Sequence, residues 1–334
     1  MDKVETMWIS SEQLDRAAQL LQSEEVVAFP TETVYGLGAD ATSSQAIQGI
    51  YQAKGRPSDN PLIVHIAQRS QLMELTTYVP PKAQQLMDQF WPGPLTIILN
   101  VKRQAVAPEV TAGLATIAIR MPDHPLALEL IRQVGRPIAA PSANTSGKPS
   151  PTTAQHVMDD LAGKIAAVVD GGETGVGLES TVIDLTSEVP TILRPGDVSA
   201  EEIRLCIGLV KMVGVDKQEA APKSPGMKYR HYSPEQPVWI VETDWADTVA
   251  KLLKKGEKIG ILASDDVLSQ FQAEAIATYS LGAQSDITQA SKQLYSGLRA
   301  LDKTEATIIL VQAYKKSGLG IAYMNRLEKA SSKC

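Results

Sequence analysis

The sequence has few cysteines, no long apolar run and no marked excess of one charge. Cys206 and Cys334 are its two cysteines in 334 residues, so their number excludes a disulfide framework and a cysteine-based metal site. No stretch of about 18 apolar residues occurs, which excludes a membrane-spanning helix. The first residues, MDKVETMWISSEQLD, contain no apolar signal core. These absences predict a cytoplasmic protein that makes no membrane contact.

Further absences concern ligands. The formal net charge is −6 at pH 7, which argues against a surface built to bind nucleic acid but leaves room for a local basic pocket. The four histidines, at positions 65, 124, 156 and 231, lack metal-ligand spacing, so we expect no metal held by protein side chains. A P-loop motif is absent. The glycines of GGETGVG at 171–177 favour a flexible turn over a dinucleotide site.

The order of apolar runs and helical segments predicts two α/β domains joined by a linker. Residues 1–210 alternate short apolar strands with amphipathic helices, and their short connections favour a mixed sheet. Within them, TETVYGLGAD, with its two glycines, is typical of a loop. Residues 211–237 are poor in apolar residues and rich in proline, as linkers are. Residues 238–334 repeat the alternation as a small open, doubly wound domain.

Two cations, Lys54 and Arg56, flank Gly55 in the stretch KGRPSDNPLIVHI at 54–66. An arginine offers a planar fork for phosphate oxygens, a lysine offers a mobile point charge, and a glycine lets the backbone come close to a ligand. The arrangement therefore predicts a phosphate site. The alternative is a solvated helix end, where both cations interact favourably with the helix dipole.

The stretch PIAAPSANTSGKPSPTT at 137–153 is a second candidate for ligand binding. A predicted strand leads into Ser142 and Asn144, and ligands of α/β sheets bind where strands end. Short polar side chains and backbone N–H groups at such a position can hold phosphate. Ser150 or Thr152 could instead cap the following helix, an alternative that leaves Ser142 and Asn144 unexplained.

Single residues elsewhere carry weaker signals. Arg120 and Arg194 each end a predicted strand, a position from which a cation commonly faces a crevice. His65 interrupts an apolar strand, where a lone histidine is more often a core residue than a ligand. Glu32 and Glu179 could serve as bases, but the sequence does not define their surroundings.

Several motifs occur in one order along the chain: PTETVYGLG, KGRP with NPLIVH, WPGPLT, IAIRMPDHP, PIAAPSAN with SGKPSPT, ESTVIDL and LRPG. Over residues 8–205 they closely resemble the YrdC-like family of threonylcarbamoyl-AMP synthases. SPGMKYRHYSP at 224–234, followed by a small α/β domain, resembles the long, two-domain form of that family. The resemblance implies a YrdC-like twisted mixed sheet with flanking helices, followed by a small Rossmann-like open α/β domain.

The resemblance also implies a reaction. L-Threonine, bicarbonate and ATP would give L-threonylcarbamoyladenylate and pyrophosphate, which makes the protein a nucleotidyltransferase with ATP as a substrate. Mg²⁺ would bind through the phosphates, with few protein ligands. A separate transferase would use the product to modify an adenosine beside the anticodon of certain tRNAs, so no direct stable tRNA binding is expected.

The resemblance assigns residues to this reaction. The family's Lys-x-Arg and Ser-x-Asn signature falls here on Lys54, Arg56, Ser142 and Asn144, of which the two cations are expected to be catalytic. Further nucleotide contacts fall on Asn60, Thr116, Ser150 and Arg194. Threonine contacts fall on Thr33, His65, Arg120, Ala140 and Ser180. We expect Arg120 to bind the threonine carboxylate, and the segment 211–237 to close over the cavity as a lid that brings His231 or Tyr232 near the nucleotide.

Three alternatives stay open at this point. The protein could bind RNA through a basic cavity, although its charge is acidic and no motif combines aromatic with basic residues. It could be a carbamoyl-adenylate enzyme that uses carbamoyl phosphate, but such modules usually sit in longer chains with zinc-finger parts, and no C-x-x-C occurs. The C-terminal domain could be a structural or partner-binding appendage.

Overall fold

The computed structural model describes residues 5–213 and 232–331. The described residues form two compact units. The first contains residues 5–146, 151–175 and 179–213, and the second contains residues 232–331 with the short segments 147–150 and 176–178. Because residues 214–231 lie outside the described part, the predicted linker 211–237 and the domain boundaries on either side of it stay predictions.

The first unit contains eleven strands and eight α-helices among its described residues. Its strands are β1 Met7–Ile9, β2 Val27–Phe29, β3 Gly36–Asp40, β4 Ile63–His65, β5 Leu95–Asn100, β6 Thr116–Arg120, β7 Ile138–Ala139, β8 Ala167–Val169, β9 Thr181–Asp184, β10 Thr191–Arg194 and β11 Lys211–Met212. Its helices are α1 Leu14–Gln22, α2 Ser44–Lys54, α3 Leu72–Leu75, α4 Pro81–Phe90, α5 Pro108–Thr111, α6 Pro125–Val134, α7 Ala154–Leu161 and α8 Ala200–Ile207.

All of these strands belong to one sheet with the order β1-β8-β2-β3-β7-β4-β6-β5-β9-β10-β11. Strand β3 pairs antiparallel with β2 and β7, whereas β4 and β6 are parallel, so the sheet is mixed, as predicted. In the centre of the sheet, β4 lies between β7 and β6, and His65 is in register with Ile138 on one side and Arg120 on the other. This strand order brings the predicted site residues to neighbouring strands.

Apolar residues on alternating positions of the strands pack on the two faces of the sheet. In β2, Ala28 belongs to one core cluster, whereas Val27 and Phe29 belong to another. This alternation is what the two-residue period of a strand requires when both faces are buried. Helices α2, α4, α7 and α8 contribute to the first cluster, and α1 and α6 contribute to the second. The site strands are therefore held from both sides.

The stretch predicted to be a loop, TETVYGLGAD, contains strand β3, so that prediction is wrong over Gly36–Asp40. At Gly38, glycine is required because neighbouring side chains leave no room for a Cβ atom. A Cβ added to Gly38 would lie 2.6 Å from Cε1 of Phe29 and 2.9 Å from Cγ2 of Ile138. A glycine inside a strand marks such a close approach, which local sequence does not reveal. Strand β1 was not predicted either.

The second unit contains a four-stranded parallel sheet with the order β12-β15-β13-β14. Its elements are β12 Val238–Val241, α9 Trp245–Lys254, β13 Ile259–Ala263, α10 Asp265–Phe271, β14 Ala277–Ser280, α11 Ile287–Asp302, β15 Ile308–Gln312 and α12 Leu319–Ala330. The parallel order confirms the predicted open α/β fold, and helix α12 adds an element that the sequence analysis did not predict. Among the described residues, no helix combines the length and apolarity needed to cross a membrane.

Candidate active site

Lys54 is the last residue of helix α2, and the ends of this helix are well defined. The Ser43 side chain accepts a hydrogen bond from the backbone N–H of Ala46 at the N-terminus. Gly55 ends the helix in the left-handed region, with a φ of 61°. A Cβ at Gly55 would meet no atom within 4 Å, so its backbone conformation rather than crowding favours glycine there. The cap sets the direction in which the chain leaves Lys54.

The Lys54 side chain is buried, with 2% of its surface exposed. Its ammonium donates to the backbone carbonyls of Ser142 and Asn144, the latter at 2.6 Å. The backbone N–H of Ser146 in turn donates to the Lys54 carbonyl at 2.9 Å. A solvated helix end is therefore wrong for Lys54. Instead, this lysine joins the end of α2 to the loop after β7.

Arg56 lies in the turn that follows, and its guanidinium returns to the backbone of that turn. Its Nη2 donates to the carbonyls of Asn60 and Pro61 at 3.3 and 3.2 Å. The Tyr51 hydroxyl also donates to the Asn60 carbonyl, at 3.2 Å. The Asn60 side chain is buried, and its Oδ1 has no hydrogen-bond partner among the described residues. An acceptor left in this state is suited to a ligand donor, because a buried polar atom without a partner costs stability.

The Ser-x-Asn pair forms a compact loop beside Lys54. The Ser142 hydroxyl donates to Oδ1 of Asn144, whose Nδ2 donates to the Thr145 carbonyl at 2.8 Å. Neither Ser150 nor Thr152 is the N-cap of the following helix. Thr153 takes that position, and its side chain accepts from the N–H of His156 at 3.2 Å. The predicted cap is therefore displaced by one to three residues, and Ser142 and Asn144 belong to the Lys54 cluster.

Arg120 ends strand β6 and is 4% exposed. Its Nη1 donates to the Thr33 hydroxyl at 2.9 Å, and its Nε donates to the Gly93 carbonyl at 3.3 Å. Its Nη2 lies 2.7 Å from Oε2 of Glu32, in ion-pair contact but without the alignment of a hydrogen bond. These contacts fix the planar guanidinium, a group suited to bind a carboxylate through two parallel N–H donors.

His65 lies beside Arg120 in the sheet and is uncharged at neutral pH. Burial lowers its pKa from 6.5 to about 3, and the neighbouring Arg120 charge lowers it further in the same direction. Its Nδ1 lies 3.2 Å from the Ile63 carbonyl, and backbone hydrogen bonds to Ile63 and Ile138 act against the lowering of its pKa. His65 also meets the Phe29 ring edge to face, with ring centroids 6.2 Å apart.

This depressed pKa predicts a pH dependence of stability. The pKa of His65 is about 3 in the folded chain and about 6.5 in the unfolded chain. Between about pH 6.5 and pH 3, therefore, His65 is protonated in the unfolded chain but not in the folded chain. The free energy of unfolding should therefore fall as the pH falls from about 6.5 towards 3, by up to about 1.4 kcal/mol per pH unit. Urea unfolding of the wild type and His65→Gln between pH 4 and 7 measures it. The variant should lose less stability over this window, and parallel curves would contradict the assignment.

A second cluster surrounds Ser180, which precedes strand β9. Its hydroxyl lies 2.7 Å from the Thr96 hydroxyl and accepts from Nη2 of Arg194 at 3.1 Å. Arg194 Nε also donates to the Ser180 carbonyl at 3.1 Å. A Cβ added to Gly196 would lie 2.3 Å from the backbone nitrogen of Thr181, so the chain after Arg194 packs directly on this segment.

The cluster around Arg120 and the cluster around Ser180 are linked through the backbone of Gly93 and Pro94. Gly93 accepts from Arg120 through its carbonyl, and the Pro94 carbonyl accepts from the backbone N–H of Thr181 at 3.0 Å. Ala140 is joined to the site strands as well, since its N–H donates to the Ile63 carbonyl at 2.9 Å. The structure thus brings most of the residues predicted for threonine into one connected region of the first unit.

Three residues predicted to contact the nucleotide are not among the residues of the clusters described above. Thr116 begins β6, whereas Arg120 ends it, so the length of a strand separates them. Ser150 is fully buried and belongs to the segment 147–150 of the second unit. His231, with most of the predicted lid 211–237, lies outside the described residues. The roles of these residues stay predictions.

Some residues at the site have no assigned role in the sequence analysis. Gly93, Thr96 and Gly196 support Arg120, Ser180 and Arg194. Glu32 was named as a base, whereas its contact is the ion pair with Arg120. Its neighbour Thr33 was assigned to the site, so adjacency in the chain was a signal for Glu32. No local signal pointed to Gly93 or Thr96.

Two family models match the chain. The model described as telomere recombination, Sua5_yciO_yrdC, matches residues 19–196. The model described as threonylcarbamoyl-AMP synthase, C-terminal domain, matches residues 198–332. Together they span both parts of the chain for which the sequence analysis predicted α/β structure.

Similar proteins cover nearly the whole chain. A threonylcarbamoyl-AMP synthase of Bacillus subtilis (strain 168) is 48% identical over 336 residues, which cover 99% of this chain and 96% of that relative. One from Pyrococcus abyssi (strain GE5 / Orsay) is 46% identical over 324 residues, with 94% and 93% covered. The crystal structure of P. abyssi Sua5 complexed with L-threonine superposes with a TM-score of 0.91 at 43% identity, covering 98% of both chains. The chain therefore belongs to the threonylcarbamoyl-AMP synthase family, in its two-domain form.

Proposed function

We propose that this protein synthesises L-threonylcarbamoyladenylate from L-threonine, bicarbonate and ATP, with release of pyrophosphate. The observation that carries the proposal is the similarity, over nearly the whole chain, to relatives named threonylcarbamoyl-AMP synthase. The P. abyssi relative has been crystallised with L-threonine. The RNA-binding alternative has no comparable support.

The reaction forms two bonds. The amino nitrogen of threonine bonds to the carbon of bicarbonate, and the loss of water leaves a carbamate. A carbamate oxygen then attacks the α-phosphorus of ATP, and the bond to pyrophosphate breaks. Negative charge develops on the phosphate oxygens during the second step, so fixed cations stabilise its transition state. No covalent enzyme intermediate is required, and positioning supplies much of the catalysis.

Lys54 and Arg56 are the cations that we assign to the phosphates. Lys54 is held by two carbonyls and Arg56 by the turn that follows it, so both charges are in place before the substrate arrives. Such preorganisation is what makes electrostatic stabilisation effective. The further nucleotide contacts in this proposal are Asn60, Thr116, Ser142, Asn144, Ser150, Arg194 and His231.

Arg120 is the residue that we assign to the threonine carboxylate, because its guanidinium is buried and oriented. His65 and Thr33 lie beside it, the first in register on β4 and the second as a hydrogen-bond partner. Ala140 and Ser180 complete the proposed threonine contacts. A neutral His65 can take part in hydrogen bonds without repelling the neighbouring Arg120 charge.

Magnesium is the metal that the reaction implies, and we propose that it binds through the phosphates of ATP. Among the described residues, no group of three or more His, Cys, Asp or Glu side chains could hold a metal ion. The donor set therefore fits an ion held by the nucleotide better than one held in a protein cage. Bound in this way, magnesium would neutralise part of the phosphate charge.

The product is a mixed anhydride of a carbamate and a phosphate, which is reactive towards nucleophiles. We propose that it passes to a separate tRNA threonylcarbamoyl transferase, and that the synthase forms no stable complex with tRNA. A cytoplasmic location suits this handover and stays a prediction.

The test is pyrophosphate release by the purified protein with ATP, magnesium and bicarbonate, with each of the twenty amino acids in turn. The proposal expects release with threonine alone, and loss of the signal when bicarbonate is omitted. If none of the twenty amino acids supports pyrophosphate release, the proposal is rejected. A salt-dependent gel shift with tRNA would then favour the RNA-binding alternative, since phosphate contacts make such binding depend on salt.

A further inference from the structure

Among the ion pairs of the described residues, Arg120 has one acidic partner, which is Glu32. It precedes Thr33, the hydroxyl partner of Arg120, in the turn between β2 and β3. Arg120 is fixed on two further sides, by the Thr33 hydroxyl and the Gly93 carbonyl. Glu32 is therefore not needed as a sole support for the guanidinium.

Both carboxylate oxygens of Glu32 are buried, and neither accepts an aligned hydrogen bond from the described residues, although Oε2 lies 2.7 Å from Nη2 of Arg120. The Glu32 side chain as a whole is 13% exposed. An ionised carboxylate accepts several hydrogen bonds, and burying it without them is costly. Oε1 thus retains acceptor capacity for a group that the described residues do not supply.

The titratable groups that interact with Glu32 favour a cation as that group. Asp197 follows β10, and burial raises the pKa of its carboxyl, as do the nearby carboxylates of Glu202 and Glu32. His124 follows β6, and burial lowers its pKa, while Glu32 and Asp123 act in the opposite direction. Glu32 and Asp197 thus interact as like charges, and Arg120 is the cation in contact with Glu32. A second positive charge next to Glu32 would be electrostatically favoured.

We propose that Glu32 binds the α-ammonium group of the amino-acid substrate while Arg120 binds its carboxylate. The inference rests on the proposed function, since it assumes an amino acid at Arg120. A zwitterion presents a carboxylate and an ammonium on the same carbon, and the Arg120–Glu32 pair presents the opposite charges side by side. The substrate can then join the existing ion pair without leaving any buried charge uncompensated.

This contact has a consequence for the chemistry. The ammonium must lose a proton to solvent before the nitrogen can bond to carbon. A carboxylate that accepts a hydrogen bond from the ammonium holds the nitrogen at one position, next to the carboxylate-binding arginine. Glu32 would thus orient the group that becomes the carbamate. It would also select α-amino acids over hydroxy acids of the same shape.

The competing explanation is that Glu32 only positions Arg120, and one pair of ligands separates the two roles. L-Threonine and (2S,3R)-2,3-dihydroxybutanoate share a carboxylate and differ in that the α-ammonium is replaced by a hydroxyl. If Glu32 binds the ammonium, replacing Glu32 weakens the binding of L-threonine selectively. If Glu32 only positions Arg120, replacing Glu32 weakens the binding of both ligands, because both bind Arg120 through the carboxylate.

The experiment measures the affinity of both ligands for the wild type and for Glu32→Gln, by calorimetry and by inhibition of pyrophosphate release. We expect threonine binding to weaken about 10- to 100-fold, the scale of a charge-assisted hydrogen bond, with the affinity for the hydroxy acid changed less than about threefold. Glu32→Asp, which keeps the charge on a shorter side chain, should lose less. Glu129→Gln, on the exposed surface of α6, should match the wild type.

Equal weakening of both ligands, or no weakening, would overturn the inference and leave the proposed function standing. Wild-type protein that binds ATP but no threonine would overturn the proposed function, and the inference with it. ATP affinity and circular dichroism of each variant show whether it is folded. If Glu32→Gln fails to fold, Glu32→Asp gives the same comparison of ligands.

Discussion

Lys54→Ala is expected to lower kcat/KM for threonine-dependent pyrophosphate release by at least about a hundredfold, the scale of losing one fixed group that stabilises transition-state charge. The Lys54 ammonium is buried against two carbonyls of the loop after β7. Alanine removes the charge that we assign to the phosphates. It also releases the loop that carries Ser142 and Asn144.

The same substitution should lower stability, because the carbonyls of Ser142 and Asn144 lose their donor. An unsatisfied buried acceptor costs about 1–3 kcal/mol. Rates should therefore be measured well below the melting temperature of the variant. The matched control is Lys82→Ala, on the exposed surface of α4, which should leave rate and stability unchanged. A Lys54→Ala protein that is folded and retains the wild-type rate would contradict the phosphate assignment.

Arg120→Met is expected to raise the KM for threonine more than about a hundredfold while the KM for ATP changes little. Methionine keeps much of the length of the side chain but removes the fork that we assign to the carboxylate, and charged hydrogen bonds of this kind are worth about 1.5–3 kcal/mol each. Initial rates with threonine varied at saturating ATP, and the reverse, separate the two constants. Equal effects on both constants would argue for a general loss of folding instead.

Arg120→Met also leaves Glu32 buried without its ion-pair partner. Breaking a buried ion pair in this way costs about 3–5 kcal/mol, much of it from the uncompensated charge. The double variant Arg120→Met with Glu32→Gln removes that charge and should recover part of the loss in the free energy of unfolding. Urea unfolding of both single variants and the double variant measures the coupling. Strictly additive losses would show that the pair contributes no interaction energy.

The site residues differ in how far the sequence could predict them. Lys54 and Arg56 were predicted because two cations around a glycine suggest a phosphate site from residue types alone. The sequence left a solvated helix end equally open for Lys54. The decision came from its contacts with Ser142 and Asn144, which lie 88 and 90 residues further along the chain.

Strand β3 illustrates the opposite case. Two glycines among polar residues indicate a loop by any local rule, yet Gly36–Asp40 is a strand paired with β2 and β7. Gly38 is needed because the Phe29 ring and Ile138 occupy the place of its side chain. That requirement exists only once the three strands are side by side.

Three properties could be predicted from the sequence alone: the fold class, the alternation that divides the chain into two α/β parts, and the residue types able to bind phosphate and carboxylate. Each of these depends on periodicity or on the chemistry of single side chains, which are local properties. The position of His65 between Arg120 and Ile138, and the contact of Arg120 with Glu32, depend instead on how distant parts of the chain pack together. Strand order sets those contacts, and it results from packing both faces of the sheet at once, which no short stretch of sequence encodes.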